Sequence, residues 1–158
     1  MSTLIIRDMT IDDLPRVFEI GVKEFSVLDE IYHQYWSLTS LVDYLVKEKE
    51  LCLVAELDGS VIGFVLGRKR FSEWQSDIGH LEWIAVVKEH QSKGFGSELC
   101  NTIQERFRKA GITKILADVR RNNLASERMF RRLGFQEQFS VIWFVKELKH
   151  NPPRVQNS

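Results

Sequence analysis

Cysteine is scarce in this 158-residue chain: Cys52 and Cys100 are its two, and neither sits in a CxxC pair or near a histidine. A disulfide framework and a zinc site are therefore not expected, and both thiols read as small buried groups of a protein in the reducing cytoplasm. An excess of charge of either sign is also lacking, because 22 Lys and Arg balance 22 Asp and Glu. No global field draws the chain to nucleic acid or anionic lipid, so neither is an expected partner. Long hydrophobic runs are missing as well, since none approaches the ~18 residues that span a bilayer. The opening MSTLIIRDMT reaches Arg7 and Asp8 too soon for a secretory leader. No membrane association is expected.

What is present suffices for one domain with its own core, expected over residues 1–150, followed by a polar, proline-containing tail, 151–158, expected to be flexible. Leu4 to Arg7 reads as a strand, and Asp12 is the expected N-cap of a first helix, with Pro15 in its first turn. A second helix follows Ser37, with Leu38, Leu41, Val42 and Leu45 as its apolar stripe. LCLVAEL and VIGFVLG, joined by Asp58-Gly59, form a hairpin. FSEWQSD is a loop, and His80 to Val87 is the next strand. Leu99, Ile103, Phe107 and Ala110 then mark an amphipathic helix ended by Gly111. Lys114 to Val119 is a strand, Asn123 caps a short helix closed by Gly134, and Val141 to Leu148 is the last strand. This alternation predicts an α/β sheet, antiparallel in its hairpin half, with a β-α-β crossover later.

The most informative stretch is QSKGFGSELC, Gln91 to Cys100, which follows an apolar strand and opens a helix. Such a junction turns unpartnered amides outward at the positive end of a helix dipole, a natural anion site. Gly94 and Gly96 keep side chains off those amides, while Gln91 and Lys93 add polar contacts. The P-loop pattern GxxxxGK[ST] is absent, and the dinucleotide fingerprint fails because Leu99 stands where its third glycine belongs. A glycine pair of this kind also serves as a plain tight turn, so the spacing alone leaves both readings open.

Residues Gln91-Ser92-Lys93-Gly94-Phe95-Gly96 resemble the Q/R-x-x-G-x-G/A loop of the GNAT superfamily of acyl-CoA N-acyltransferases. NLASERMFRRLGF, IRDMTIDDLPRVFEI and AELDGSVIGFVLG are similar to three further elements of that family, in the same order along the chain. The resemblance implies an α/β fold with a mixed, mostly antiparallel sheet of six to seven strands and helices on both faces. It implies acetyl-CoA as co-substrate, its pantetheine arm paired with the backbone of Ile84, Ala85 and Val86. The amides from Ser92 through Lys93, Gly94, Phe95 and Gly96 to Ser97 would take the phosphates, with Gln91, Asn123 and Phe130 as further cofactor contacts. No metal is implied.

Acetyl transfer to an amine of pKa ~10 calls for a base. Glu82 and His80 lie two apart on one strand, hence on one face. Asp118 matches a position that is acidic in the family's N-terminal acetyltransferase branch. These three compete for the role. Phe130 stands where many members carry tyrosine, and phenylalanine has no proton for a departing thiolate; Tyr32, Tyr35 or water are the alternatives. FSVLDEIYHQYWS and QEQFS are the segments that would meet the acceptor, a primary amine of a small molecule or peptide. A homodimer is compatible with the resemblance. The alternative function is a CoA-binding regulatory module with little or no turnover.

Overall fold

A computed structural model describes residues 2–25, 35–70 and 78–142, with 144, 146 and 148. Most of FSVLDEIYHQYWS, all of FSEWQSD and the tail 151–158 lie outside the described residues. Strand β1 is Leu4–Asp8, and helix α1, Leu14–Glu24, follows a single 3₁₀ turn at Ile11–Asp13. Helix α2 is Leu38–Lys47; β2 (Cys52–Leu57) and β3 (Ser60–Arg70) form the hairpin; β4 is Ile78–Val86. Helix α3 (Phe95–Lys109), β5 (Lys114–Ala117) and α4 (Leu124–Arg132) complete the described elements.

The strands lie in the order β1-β2-β3-β4-β5, antiparallel except for the parallel pair β4 and β5. The hairpin turns where expected, because Asp58 (φ 49°) and Gly59 (φ 81°) are both left-handed, as a two-residue turn that follows strand twist requires. The front face carries α1 and α2 over Met9, Val17, Ile20, Trp36, Leu41 and Phe64. The back face carries α3 and α4 over Leu53, Val65, Leu81, Leu99, Ile103 and Phe107. Burying such side chains from both sides of one sheet supplies the main driving force, roughly 25 cal/mol per Å² of apolar surface.

Three expectations need correction. The sheet has five strands, not six to seven: Val141, Ile142, Phe144 and Leu148 are 65–93% exposed and belong to no described strand. A strand-like run becomes a strand only when its backbone finds a partner and one face is covered, and β5, four residues long, offers a short edge. The residue before α1 is Asp13 rather than Asp12, and its side chain bonds no amide of that helix; it closes the capping box of the 3₁₀ turn that Thr10 opens. Asp13 Oδ2 accepts the Thr10 amide at 2.8 Å and the Thr10 hydroxyl at 3.1 Å, and Arg7 grips both carboxylate oxygens at 2.8 and 2.9 Å. Finally, α2 is rotated from the expected stripe. Leu41 and Tyr44 are buried, while Leu38 and Val42 are about half exposed, at 50% and 45%.

Candidate active site

The site begins with a fault in strand pairing. Leu66 faces Trp83 and Gly67 faces Leu81, so Glu82 is an extra residue, a β-bulge in β4. A bulge turns two neighbours to one side. Leu81 and Ile84 pack into the back core while Trp83 packs into the front one, and Glu82 reaches Tyr44 of the front helix α2. Bulge and spacing together set His80, Glu82 and Trp83 on the front side of β4.

The second feature is a gap. β5 pairs with β4 only from Ile78 to Leu81, and β4 runs on to Val86 without it. On its other edge, the Val87 amide donates to the Ile62 carbonyl at 2.8 Å. Antiparallel alternation then directs the polar groups of Ala85 to β3 and those of Ile84 and Val86 toward the side β5 has left. Of the three residues expected to pair with an extended ligand, two therefore present their backbone to the gap. Gln91 Nε2 already bridges Val86 O and Glu24 Oε2, each at 2.8 Å, and so ties the loop to both β4 and α1.

At the end of β4 the chain makes a 3₁₀ turn over Lys88–His90 and enters the glycine bend. Ser92 (φ 60°) and Gly94 (φ 86°) are left-handed. The first bond of α3 runs from Glu98 N to Gly94 O at 3.1 Å, so the amides of Phe95, Gly96 and Ser97 have no acceptor within the helix. A Cβ built on Gly94 meets nothing within 4 Å, which leaves the bend open. On Gly96 a Cβ would stand 3.1 Å from the sulfur of Met129, so this glycine lets α4 close against α3. Open amides at a helix start fit a diphosphate, the anionic part of coenzyme A. Lys93 Nζ lies 3.5 Å from His90 Nδ1 on the same bend.

Two expected cofactor contacts have structural duties. Asn123 Oδ1 accepts the Ser126 amide at 3.2 Å as the cap of α4. Phe130 is buried in the back core, its ring 5.0 Å from that of Phe135. Arg131, part of the basic cluster with Arg128 and Arg132, pairs with Glu137 at 2.8 Å.

The three competing bases form one chain of neighbours, of which the His80–Asp118 step is a hydrogen bond. His80 is buried, with Nε2 3.0 Å from Asp118 Oδ2 and Nδ1 3.2 Å from Glu82 Oε1. The second approach lies outside hydrogen-bonding geometry, so Glu82 and the imidazole are close neighbours rather than bonded partners. The chain runs from a carboxylate whose side chain is 17% exposed, through the imidazole, to one that is 89% exposed. Tyr44 donates its hydroxyl to Glu82 Oε2 in a short hydrogen bond, and Arg68 Nε and Arg70 lie 3.6 and 3.8 Å from the same carboxylate. Burial pushes the Glu82 carboxyl up, but His80, the Tyr44 hydroxyl and the Arg68 charge outweigh it and hold it below its ordinary value. It is a carboxylate at neutral pH, as an acceptor of protons must be.

Tyr44 and Arg68 had no place in the sequence-based site. Tyr44 stands three residues after Leu41 on the helix face that is buried, and that spacing was the available signal. Both cysteines are buried, as expected, and burial pushes each thiol up to about 12. Among the described residues no helix is long and apolar enough to cross a membrane.

Comparison with known proteins bears on this geometry. A family model described as acetyltransferase (GNAT) family matches residues 12–135. An uncharacterized N-acetyltransferase of Methanocaldococcus jannaschii is 30% identical over 138 residues, covering 85% of this chain and 80% of the relative. Aminoglycoside N(6')-acetyltransferase type 1 of Acinetobacter haemolyticus is 27% identical over 129 residues, covering 75% and 89%. The PaiA N-acetyltransferase of Thermoplasma acidophilum, solved with coenzyme A, superposes with a TM-score of 0.74 at 20% identity, covering 88% of this chain and 93% of that one.

Proposed function

Because this chain belongs to the GNAT family of acetyltransferases, with acetyl transfer from acetyl-CoA to an amine as its reaction, we propose a division of labour among its residues. Acetyl-CoA, when bound, supplies the acyl group as a thioester. The amides of Phe95, Gly96 and Ser97, in the open bend at Gly94, hold its diphosphate, and Lys93 adds a cation beside them. The backbone of Ile84 and Val86 pairs with the pantetheine arm along the gap beside β4. Glu82 takes the proton that the acceptor amine must lose; a small turn of the carboxylate that brings Oε1 into line with Nδ1 would let His80 pass it to Asp118, whose exposure opens the path to bulk water. Phe130 packs in the core and gives no proton, so a departing thiolate, with a thiol pKa of ~8.5, would take its proton from water.

The observation that carries this reading is the gathering of Glu82, His80 and Asp118 in one row, with steps of 3.2 and 3.0 Å, at the point where β4 and β5 separate. Glu82→Gln should lower kcat by about 10²–10⁴ while calorimetric affinity for acetyl-CoA stays unchanged. Wild-type turnover in that variant would remove Glu82 as the base. A parent chain that fails to bind acetyl-CoA would remove the assignment of the bend. The alternative of a binding module without turnover is set aside by the family match and the acetyltransferase relatives.

The acceptor is a primary amine of a small molecule or a peptide, and a coupled thiol-release assay across both classes decides between them. We further propose a homodimer. Among the described residues each chain offers a β5 edge without a strand partner and an exposed apolar run around Val141, Ile142 and Phe144, so two copies would satisfy both reciprocally, and a net charge of zero opposes no self-association. Light scattering should read twice the chain mass, falling to one chain in Ile142→Lys/Phe144→Lys.

A further inference from the structure

We propose that Tyr44 of α2 is a positioning residue that fixes which oxygen of Glu82 faces the proton relay; this rests on the reading of Glu82 as the base. The terminal torsion of a glutamate is soft, so a carboxylate held only by charge turns between orientations. In this site Oε2 is taken by the Tyr44 hydroxyl, which leaves Oε1 toward His80 Nδ1 at 3.2 Å. The phenol itself is tightly held. Its residue is buried, and the guanidinium of Arg68 lies 4.6 Å from the ring centroid. Arg68 in turn bonds Asp43 Oδ2 at 3.4 Å, so the residue preceding Tyr44 on the same helix anchors the cation that supports its ring.

Glu82 is thus faced by Tyr44 from α2, with Asp43 acting through Arg68; by Arg68 and Arg70 from β3; by His80 on its own strand; and, one step further, by Asp118 beyond β5. Of these, Tyr44 is the neutral donor, and it sets direction without altering net charge. Position matters for a second reason. α2 opens at Leu38, shortly after the segment expected to meet the acceptor, so a displacement of this helix would reach the base through the Tyr44 hydroxyl and, less directly, through Asp43 and Arg68.

Tyr44→Phe keeps the ring over Arg68 and deletes only the O–H. A lost donor to the charged carboxylate raises its pKa, so the acidic limb of the kcat/KM profile should move up by about one pH unit. At pH 7 kcat should fall about tenfold, with KM for acetyl-CoA unchanged, because the carboxylate spends less time in line with the relay. Combining Tyr44→Phe with Glu82→Gln should cost nothing beyond Glu82→Gln alone, the mark of a residue that acts through another. An unmoved limb in Tyr44→Phe overturns the proposal, whether or not kcat or the melting temperature changes, and so does a double variant whose losses multiply. If instead Glu82→Gln retains the acidic limb, the failure belongs to the assignment of Glu82 as base.

Discussion

On the back of the sheet, Leu53, Ala55, Val65, Leu99, Ile103 and Phe107 are buried by α3 and α4 among aliphatic and aromatic groups, with the Cys100 thiol, pushed up to about 12 by burial, neutral beside them. On the front, α1 and α2 bury Trp36, Tyr44 and Phe64 beside the relay, and both buried polar residues among those described, Asp13 and His80, lie on that side. The back needs only complementary shape, which any pH provides. The front buries groups that stay buried only with partners, so its packing is tied to protonation. One side of the sheet supplies a platform that ends at the glycine bend; the other carries the buried polar groups to which the chemistry is proposed to belong.

The sharpest way to break the platform is Phe107→Ala. This ring lies so close to β3 and β4 that a Cβ on Gly67 or Gly79 would come within 2.7 and 2.6 Å of it. Truncation should cost about 3–5 kcal/mol, read from urea midpoints, with the same loss at pH 7 and pH 4. A loss that changed with pH would deny that the back is indifferent to protonation. Next comes Gly21→Ala on the front. Its Cβ would sit 2.0 Å from the indole of Trp36, whose Nε1 donates to the Phe18 carbonyl at 3.1 Å. Overpacking there should cost about 1–3 kcal/mol and shift near-ultraviolet dichroism; an unchanged midpoint would mean that α1 and Trp36 separate freely.

Comparable in size, and the most diagnostic, is Asp13→Asn at about 1–3 kcal/mol. The Arg7 hydrogen bonds lower the Asp13 pKa against the opposing effect of burial. A depressed folded-state pKa stabilises the fold above the unfolded value, near 4, and that contribution fades as pH falls through the folded value. The gap between wild type and Asp13→Asn should therefore be full at pH 7 and shrink below pH 4. A gap that stayed constant to pH 2 would remove the carboxylate as its cause.

Much of this was legible in the sequence because local rules decided it. Asp58-Gly59 needs no context to turn a hairpin, and Gly111 and Gly134, with φ of 80° and 86°, end their helices as glycine does. The glycine bend lies where the strand-to-helix change demanded it. Tertiary pairing decided the rest. The bulge at Glu82 exists only in relation to β3, and single-strand spacing brought His80 and Glu82 together without revealing that Trp83 joins them. The rotation of α2 follows from which side meets the sheet, and the ring of Tyr44 fills that side better than Leu38 does. The Val141 to Leu148 run has the side chains of a strand; composition states what a segment can form, not which edge receives it.

The extra residue in β4 has one more outcome. By turning Glu82 and Trp83 to the same side, it installs an intrinsic fluorophore next to the ionisable group of the site. The emission of Trp83, taken as the difference between wild type and Trp83→Phe, then gives an optical record of the neighbouring carboxylate as it gains a proton or meets an amine, with no label attached.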